Sequence, residues 1–136
     1  MKRGDARFVG TWRLVSYQMQ EEDGAVVCPF GEQASGLLLY TADGAMSGQV
    51  MQPGRDAKAT GHVHPSQAGY IAYCGRYLVD EQAGEVVHHV EAALYPPWVG
   101  SEQRRHFRFD ANRLTLSASR WRNGRETVHR LIWERP

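Results

Sequence analysis

The segment 86–94, VVHHVEAAL, holds the side chains best suited to acid–base chemistry. Side chains alternate across a β-strand, so His88 shares its face with valines, whereas His89 and Glu91 share the opposite face. The face of His88 is the more apolar, and we expect it to point inward. A neutral imidazole there could move a proton near pH 7, as a tautomerisation or ring closure requires. The alternative is a structural histidine whose two nitrogens are hydrogen-bonded to neighbours.

If His88 points inward, His89 and Glu91 form a polar pair on the outer surface or near a rim. If the strand is turned the other way, the acid–base role passes to that pair. Both residues are therefore kept as candidate ligand-binding residues.

Arg105 is the second candidate for chemistry. It has the same strand parity as Gln103, Phe107 and Phe109, so it points inward if the phenylalanines do. An interior guanidinium needs an acceptor, which could be a protein carboxylate such as Glu91 or a carboxylate, enolate or carbonyl oxygen of a ligand. An arginine that snorkels from the end of the fold is the structural alternative. We assign His88 and Arg105 as the catalytic pair of any reaction, with Gln103 and Phe107 as ligand contacts.

Several aromatic and imidazole side chains complete the predicted binding set. Phenols can line a cavity and donate hydrogen bonds, although tyrosines in strands often serve only packing. A tryptophan between two prolines and a glycine is either a cap over an opening or a packing residue under its loop. These further candidates are Tyr40, Tyr73, Tyr77, Trp98 and His129.

Metal chemistry is suggested only by His62 and His64, whose spacing would place two imidazoles on one face of a strand. No carboxylate follows closely, and the surrounding segment is the least strand-like of the chain, so we predict neither a metal nor a cofactor. The chain has no GxSxG elbow, P-loop or GxGxxG motif, which argues against ordinary hydrolases, kinases and dehydrogenases.

Short segments with apolar residues on alternate positions dominate the chain, which is typical of an all-β fold. Asp43-Gly44 and Asn123-Gly124 are hairpin signals between such segments. The segment 53–67 is interrupted by proline and glycine and suits a loop or one helical turn, a candidate lid. The predicted strands are 8–17, 26–28, 36–41, 45–51, 73–80, 86–94, 104–109, 114–119 and 127–133.

Composition restricts the class of protein further. The 136 residues suit one domain, 1–136, and 42% hydrophobic with 23% charged residues is typical of a globular chain. A net charge of +1 provides no field for nucleic acid, and no apolar run is long enough to span a membrane. No secretory segment or cysteine framework is evident, so we expect a cytoplasmic protein with reduced Cys28 and Cys74.

Eight or nine strands without a covering helix must pair as a sandwich or close on themselves. Their simple succession favours a closed antiparallel up-and-down β-barrel. The interior of an eight-stranded barrel is either filled by side chains or wide enough for one small ligand.

Gly10-Thr11-Trp12 on the first strand resembles the GxW signature of lipocalins and other calycins, in which the tryptophan plugs one barrel end. Arg135 is placed to match the arginine that packs over that tryptophan. More specifically, the chain resembles the small bacterial and fungal lipocalin-like domain family. The matching segments are GTWRLVSY, PFGEQASGLLLYTADGAMSGQVMQPGR, YIAYCGRYLVDEQAGEVVHHVEAALYPPWVGSEQRR, NRLTL and RLIWER. The resemblance implies a closed barrel with an internal cavity, in a superfamily that includes carriers of apolar metabolites and isomerases or cyclases.

The sequence thus predicts a barrel that binds a small, largely apolar or aromatic, oxygenated metabolite and could act as a cofactor-free isomerase or cyclase. The alternatives are a non-catalytic carrier or sensor and a structural module with a filled lumen. Strand edges could also pair two copies into a homodimer. We further expect Phe107, Phe109, Tyr77 and Val79 to be buried and Arg108 exposed.

Overall fold

The structure, a computed structural model, describes residues 1–55 and 64–136, without the side chain of residue 122. In this described part the elements are nine strands, one short helix and a 3₁₀ turn at Pro96–Trp98. The bounds are β1 Gly10–Gln20, β2 Val26–Val27, β3 Ser35–Tyr40, β4 Ala45–Met51, α1 Pro65–Ala68, β5 Tyr70–Asp80, β6 Glu85–Ala93, β7 Glu102–Asp110, β8 Arg113–Arg122 and β9 Arg125–Glu134.

The strands close into an antiparallel barrel. From β3 to β9 each strand pairs with the next one along the chain, and β1 pairs with both β3 and β9. The closed ring therefore has eight strands, and the short β2 adds to β1 outside it. This confirms the predicted fold class. Among the described helices none is long and apolar enough to cross a membrane.

The hairpin between β8 and β9 has the turn that its sequence indicates. Asn123 and Gly124 both have positive φ angles, of 54° and 74°. A two-residue turn with two such angles matches the right-handed twist of the flanking strands, and Asn-Gly adopts it readily.

Trp12 closes one end of the barrel. Its indole is 1% exposed and donates from Nε1 to the carbonyl of Phe8 over 2.8 Å. The guanidinium carbon of Arg135 lies 4.1 Å from the ring centroid. The expected packing of Arg135 over Trp12 is therefore confirmed.

Strand parity follows the prediction on β5 and β7, with one difference. Tyr77 and Val79 are buried and Arg108 is exposed, as expected. Phe107 and Phe109 are only half-buried. They lie at the closed end, where Phe8 of the N-terminal segment packs against both rings at 5.1 and 5.0 Å.

A β-bulge in β1 overturns one part of the parity argument. Uniform alternation would place Ser16 on the same face as Trp12 and Leu14. The register instead shifts between Leu14 and Ser16, so two residues of β1 lie opposite one of β9. Tyr17, 8% exposed, consequently turns into the barrel.

Candidate functional site

The barrel encloses a cavity of about 70 Å³. This exceeds the space that a single water needs. The wall is largely apolar, and each strand of the ring except β3 contributes one polar side chain to it. Its apolar side chains include Leu38, Met46, Val50, Ile71, Leu116 and Leu131, and its polar ones are Tyr17, Gln49, Tyr73, His88, Arg105, Arg120 and His129.

His88 lies on the inner face of β6, as its apolar neighbours predict, and is 2% exposed. Its Nε2 is 2.6 Å from the hydroxyl of Tyr40, and its Nδ1 is 2.7 Å from the hydroxyl of Tyr73. Burial, aided by the charge of Arg105, lowers the pKa of His88 to about 3. The imidazole is therefore neutral at physiological pH, with both nitrogens engaged.

The direction of these hydrogen bonds follows from the burial of Tyr40. Within the described residues its hydroxyl has His88 as its hydrogen-bond partner, so donation to Nε2 is the arrangement that leaves no buried O–H unpaired. A neutral His88 then carries its hydrogen on Nδ1 and donates to the Tyr73 oxygen. Tyr73, which lines the cavity, keeps its own hydrogen for an acceptor on a ligand.

His129 forms a second hydrogen-bonded group on the cavity wall. Its Nδ1 is 2.8 Å from the Tyr17 hydroxyl, and its Nε2 is 3.2 Å from the hydroxyl of Thr127. Burial, and then the charges of Arg120 and Arg105, lower the pKa of His129 to about 4. Sequence reasoning missed Tyr17 because no residue pattern in the first strand marks the bulge that turns it inward.

Two guanidinium groups reach the cavity. Arg105 donates from its two terminal nitrogens to the carbonyl of Arg104 at 2.9 Å and to Oε1 of Gln103 at 3.0 Å. Arg120 was missed because the predicted strand ended at residue 119, whereas β8 continues to Arg122. Its shared parity with Leu114 and Leu116 was a signal that could have identified it.

Trp98 of the 3₁₀ turn also lines the cavity. Its ring makes edge contacts with Tyr73, Tyr95 and His64, at centroid distances of 5.9, 5.6 and 6.1 Å. The half-buried indole therefore both caps the cavity and packs under its loop, which combines the two sequence-based alternatives.

The structure places His89 and Glu91 outside the barrel, where they do not line the cavity. Nδ1 of His89 lies 3.7 Å from Glu102, and Glu91 lies 3.8 Å from Arg76. Each therefore pairs with a neighbouring strand and not with the other. The cause is the inward direction of His88, which sends its neighbours of opposite parity to the surface.

Four other predicted ligand contacts do not line the cavity. Tyr77 donates to the carbonyl of Thr41 over 2.9 Å, and Phe107 packs in the closed end. Tyr40 is hydrogen-bonded to His88 behind the cavity wall, and Gln103 accepts a hydrogen bond from Arg105. The predicted residues that the cavity brings together are His88, Arg105, Tyr73, Trp98 and His129.

No group of three or more metal-ligating side chains occurs within residues 1–55 and 64–136. His64 caps α1, where its Nδ1 lies 2.9 Å from the hydroxyl of Ser66. The other half of the proposed pair, His62, lies outside the described residues.

A closed antiparallel barrel with an apolar cavity and a few hydrogen-bonding groups defines a class of small-ligand-binding proteins. The chain belongs to the lipocalin-like domain family, whose model matches residues 9–136. It is similar to the 4'-hydroxy-3'-methoxypropiophenone carrier protein ppsC of Aspergillus oryzae (strain ATCC 42149 / RIB 40). The two are 31% identical over 101 residues, which cover 64% of this chain and 83% of the relative. No solved structure matches the chain significantly.

Proposed function

We propose that this protein is a non-catalytic carrier of a small, largely aromatic or apolar metabolite that bears an oxygen group. The observation that carries the proposal is the cavity itself, whose largely apolar wall carries several hydrogen-bonding side chains. In apolar pockets with a few fixed polar groups, the buried apolar area provides most of the affinity and the hydrogen bonds provide the specificity.

The polar groups fit an oxygen-bearing ligand. Tyr73 has a hydroxyl hydrogen available in the cavity because His88 already donates to its oxygen. Arg105 supplies further donors, since a guanidinium has five N–H groups and no acceptor. The opposite wall of Leu38, Met46 and Val50 suits a hydrocarbon or aromatic ring.

Three observations favour a carrier over an isomerase or cyclase. Acid–base catalysis is most efficient when the pKa of the group lies near the working pH, whereas burial lowers the pKa of His88 to about 3. Both of its nitrogens are hydrogen-bonded. Proton transfer to a ligand would also have to pass through Tyr73, and burial raises the pKa of that phenol.

The related fungal protein supports the same choice. Its name describes a carrier of an aryl ketone with a hydroxyl and a methoxyl group. That compound has the chemistry expected of the ligand here, an aromatic ring with several oxygens.

The proposal is tested by titrating the purified protein with 4'-hydroxy-3'-methoxypropiophenone. Trp98 and Trp133 line the cavity, so their fluorescence should change saturably with one ligand bound per chain. Mass spectrometry after prolonged incubation should recover the compound unchanged. Absence of saturable binding, or steady conversion to an isomer, would contradict the carrier proposal.

Two neighbouring substitutions provide a matched control. Ala118 lines the cavity, whereas Ser119 is exposed on the outer face of β8. Ala118→Phe should fill the cavity and abolish binding, and Ser119→Phe should bind like the wild type. Equal binding by both variants would place the ligand elsewhere.

A further inference from the structure

Four arginines outside the cavity have acidic partners. Carboxylates lie within 4.0 Å of the guanidinium groups of Arg7, Arg76, Arg104 and Arg113. Arg104 and Arg105 are adjacent in β7, yet only Arg104 faces this acidic outer surface.

Arg105 and Arg120 are in a different situation. Among the described residues that line the cavity there is no aspartate or glutamate. Arg105 donates only to neutral oxygens, those of Arg104 and Gln103. The side chain of Arg120 makes no hydrogen bond or ion pair within the described part of the chain.

The two positive charges act on the same space. Both lower the pKa of Tyr73 and Tyr17 against the larger effect of burial, and both contribute to the low pKa of His129. Desolvation, and then the charge of Arg105, lower the pKa of Arg120. Arg105 is half-buried and Arg120 is exposed, and the described part of the cavity wall gives neither of them a carboxylate. The two cations therefore destabilise each other, and an anion between them would relieve that repulsion.

We propose that the ligand of this cavity is an anion, with a carboxylate or phenolate oxygen held between Arg105 and Arg120 and its apolar body against the opposite wall. The Tyr73 hydroxyl donates a further hydrogen bond to the ligand's oxygen group. This inference rests on the proposed function and specifies the chemical class of the ligand. Arg120 is thereby a specificity-determining residue.

The anion could be a carboxylic acid or an acidic phenol, and two matched pairs of probes separate these sources. trans-Cinnamate and trans-cinnamamide have the same shape and differ in charge. 4-Nitrophenolate and 4-nitroanisole make the corresponding comparison for a phenol. Calorimetric titration gives the dissociation constant of each compound at a pH where both acids are ionised.

We expect the anion of at least one pair to bind about tenfold or more tightly than its neutral partner, because charge-assisted hydrogen bonds are about twice as strong as neutral ones. Arg120→Gln and Arg105→Gln should each reduce this preference severalfold. Arg120→Lys should retain much of it, since it keeps the charge. Arg104→Gln, one residue away on the outer face, should leave it unchanged.

Equal affinity for anion and neutral partner in both pairs would overturn the inference and leave the carrier proposal intact, provided the neutral compounds bind. An undiminished preference in Arg120→Gln and Arg105→Gln would also overturn it, because the anion would then bind elsewhere. If no probe binds and 4'-hydroxy-3'-methoxypropiophenone fails as well, it is the carrier proposal that fails. Circular dichroism of each variant establishes that it is folded.

Discussion

At the scale of single residues, hydrogen bonds to neutral groups fix the two histidines of the site. His88 is held by Tyr40 and Tyr73, and His129 is held by Tyr17 and Thr127. Each imidazole would have to give up an acceptor nitrogen in order to take a second proton. The groups that titrate most readily near neutral pH when exposed are therefore used here as fixed donors and acceptors.

The burial of the two histidines makes the stability of the protein depend on pH. The pKa of His88 is about 3 and that of His129 about 4 in the folded protein, against 6.5 for a solvent-exposed histidine. Between these pH values the unfolded chain binds more protons than the folded protein does. The free energy of unfolding is therefore highest above about pH 6.5 and decreases as the pH is lowered towards 4 and then 3.

Urea denaturation at pH 7 and pH 4.5 measures the effect. Between pH 7 and pH 4.5 the free energy of unfolding of His129→Gln should decrease by about 2 kcal/mol less than that of the wild type. His106→Gln is the control, since His106 is exposed on the outer surface. If the His129 variant loses as much stability as the wild type, this imidazole does not cause the pH dependence.

At the scale of strands, bulges decide which side chains reach the cavity. The bulge in β1 turns Tyr17 inward. A second register shift lies between β5 and β6, where Cys74 pairs with Ala92 and Gly75 pairs with Val90. Here the strands approach so closely that a Cβ on Gly75 would overlap the backbone oxygen of His89. Glycine is thus required at this position by contact with the next strand.

Gly75→Ala should therefore destabilise the protein by roughly 1–3 kcal/mol, the usual range for overpacking. The clash is with backbone atoms, which cannot move aside as a flexible side chain could. Cys74→Ala, one residue earlier in β5, is the control and should have a smaller effect. Chemical denaturation of both variants at pH 7 gives the comparison, and equal stability of Gly75→Ala and wild type would contradict the packing argument.

At the scale of the whole molecule, closure brings the first and last strands together at the end plugged by Trp12. Arg135 covers the indole and donates to the carbonyls of Val9 and Arg7, at 2.9 and 2.6 Å. This single side chain thus links the C-terminal end of the barrel to the segment that precedes β1.

Arg135→Ala should lower the free energy of unfolding by about 2–3 kcal/mol, because it removes a cation–π contact and leaves two carbonyls without their donor. Arg113→Ala offers a matched control, since Arg113 pairs with Glu134 on the exposed surface at 3.4 Å and such pairs contribute at most about 1 kcal/mol. If thermal or urea denaturation shows equal losses for the two variants, the Arg135 contact does not hold the ends together.

How far the site could be predicted depended on how regular each strand is. The inward direction of His88 and Arg105 followed from simple alternation, which holds along their parts of β6 and β7. Alternation failed for Ser16 and Tyr17 because a bulge adds one residue to one strand, and the register of its partner decides where. Arg120 was missed because strand ends are set by pairing, here with Thr127 of β9.

The amino-acid sequence by itself determined the all-β class, the closed barrel, the Asn-Gly turn and the tryptophan plug. These depend on local alternation, on turn chemistry and on a short motif, all of which are carried by neighbouring residues. The tertiary structure alone decided that His88 lies between two phenols and that two arginines share a cavity without a carboxylate. Those properties depend on residues from distant strands, and only the closure of the barrel brings such residues within hydrogen-bond distance.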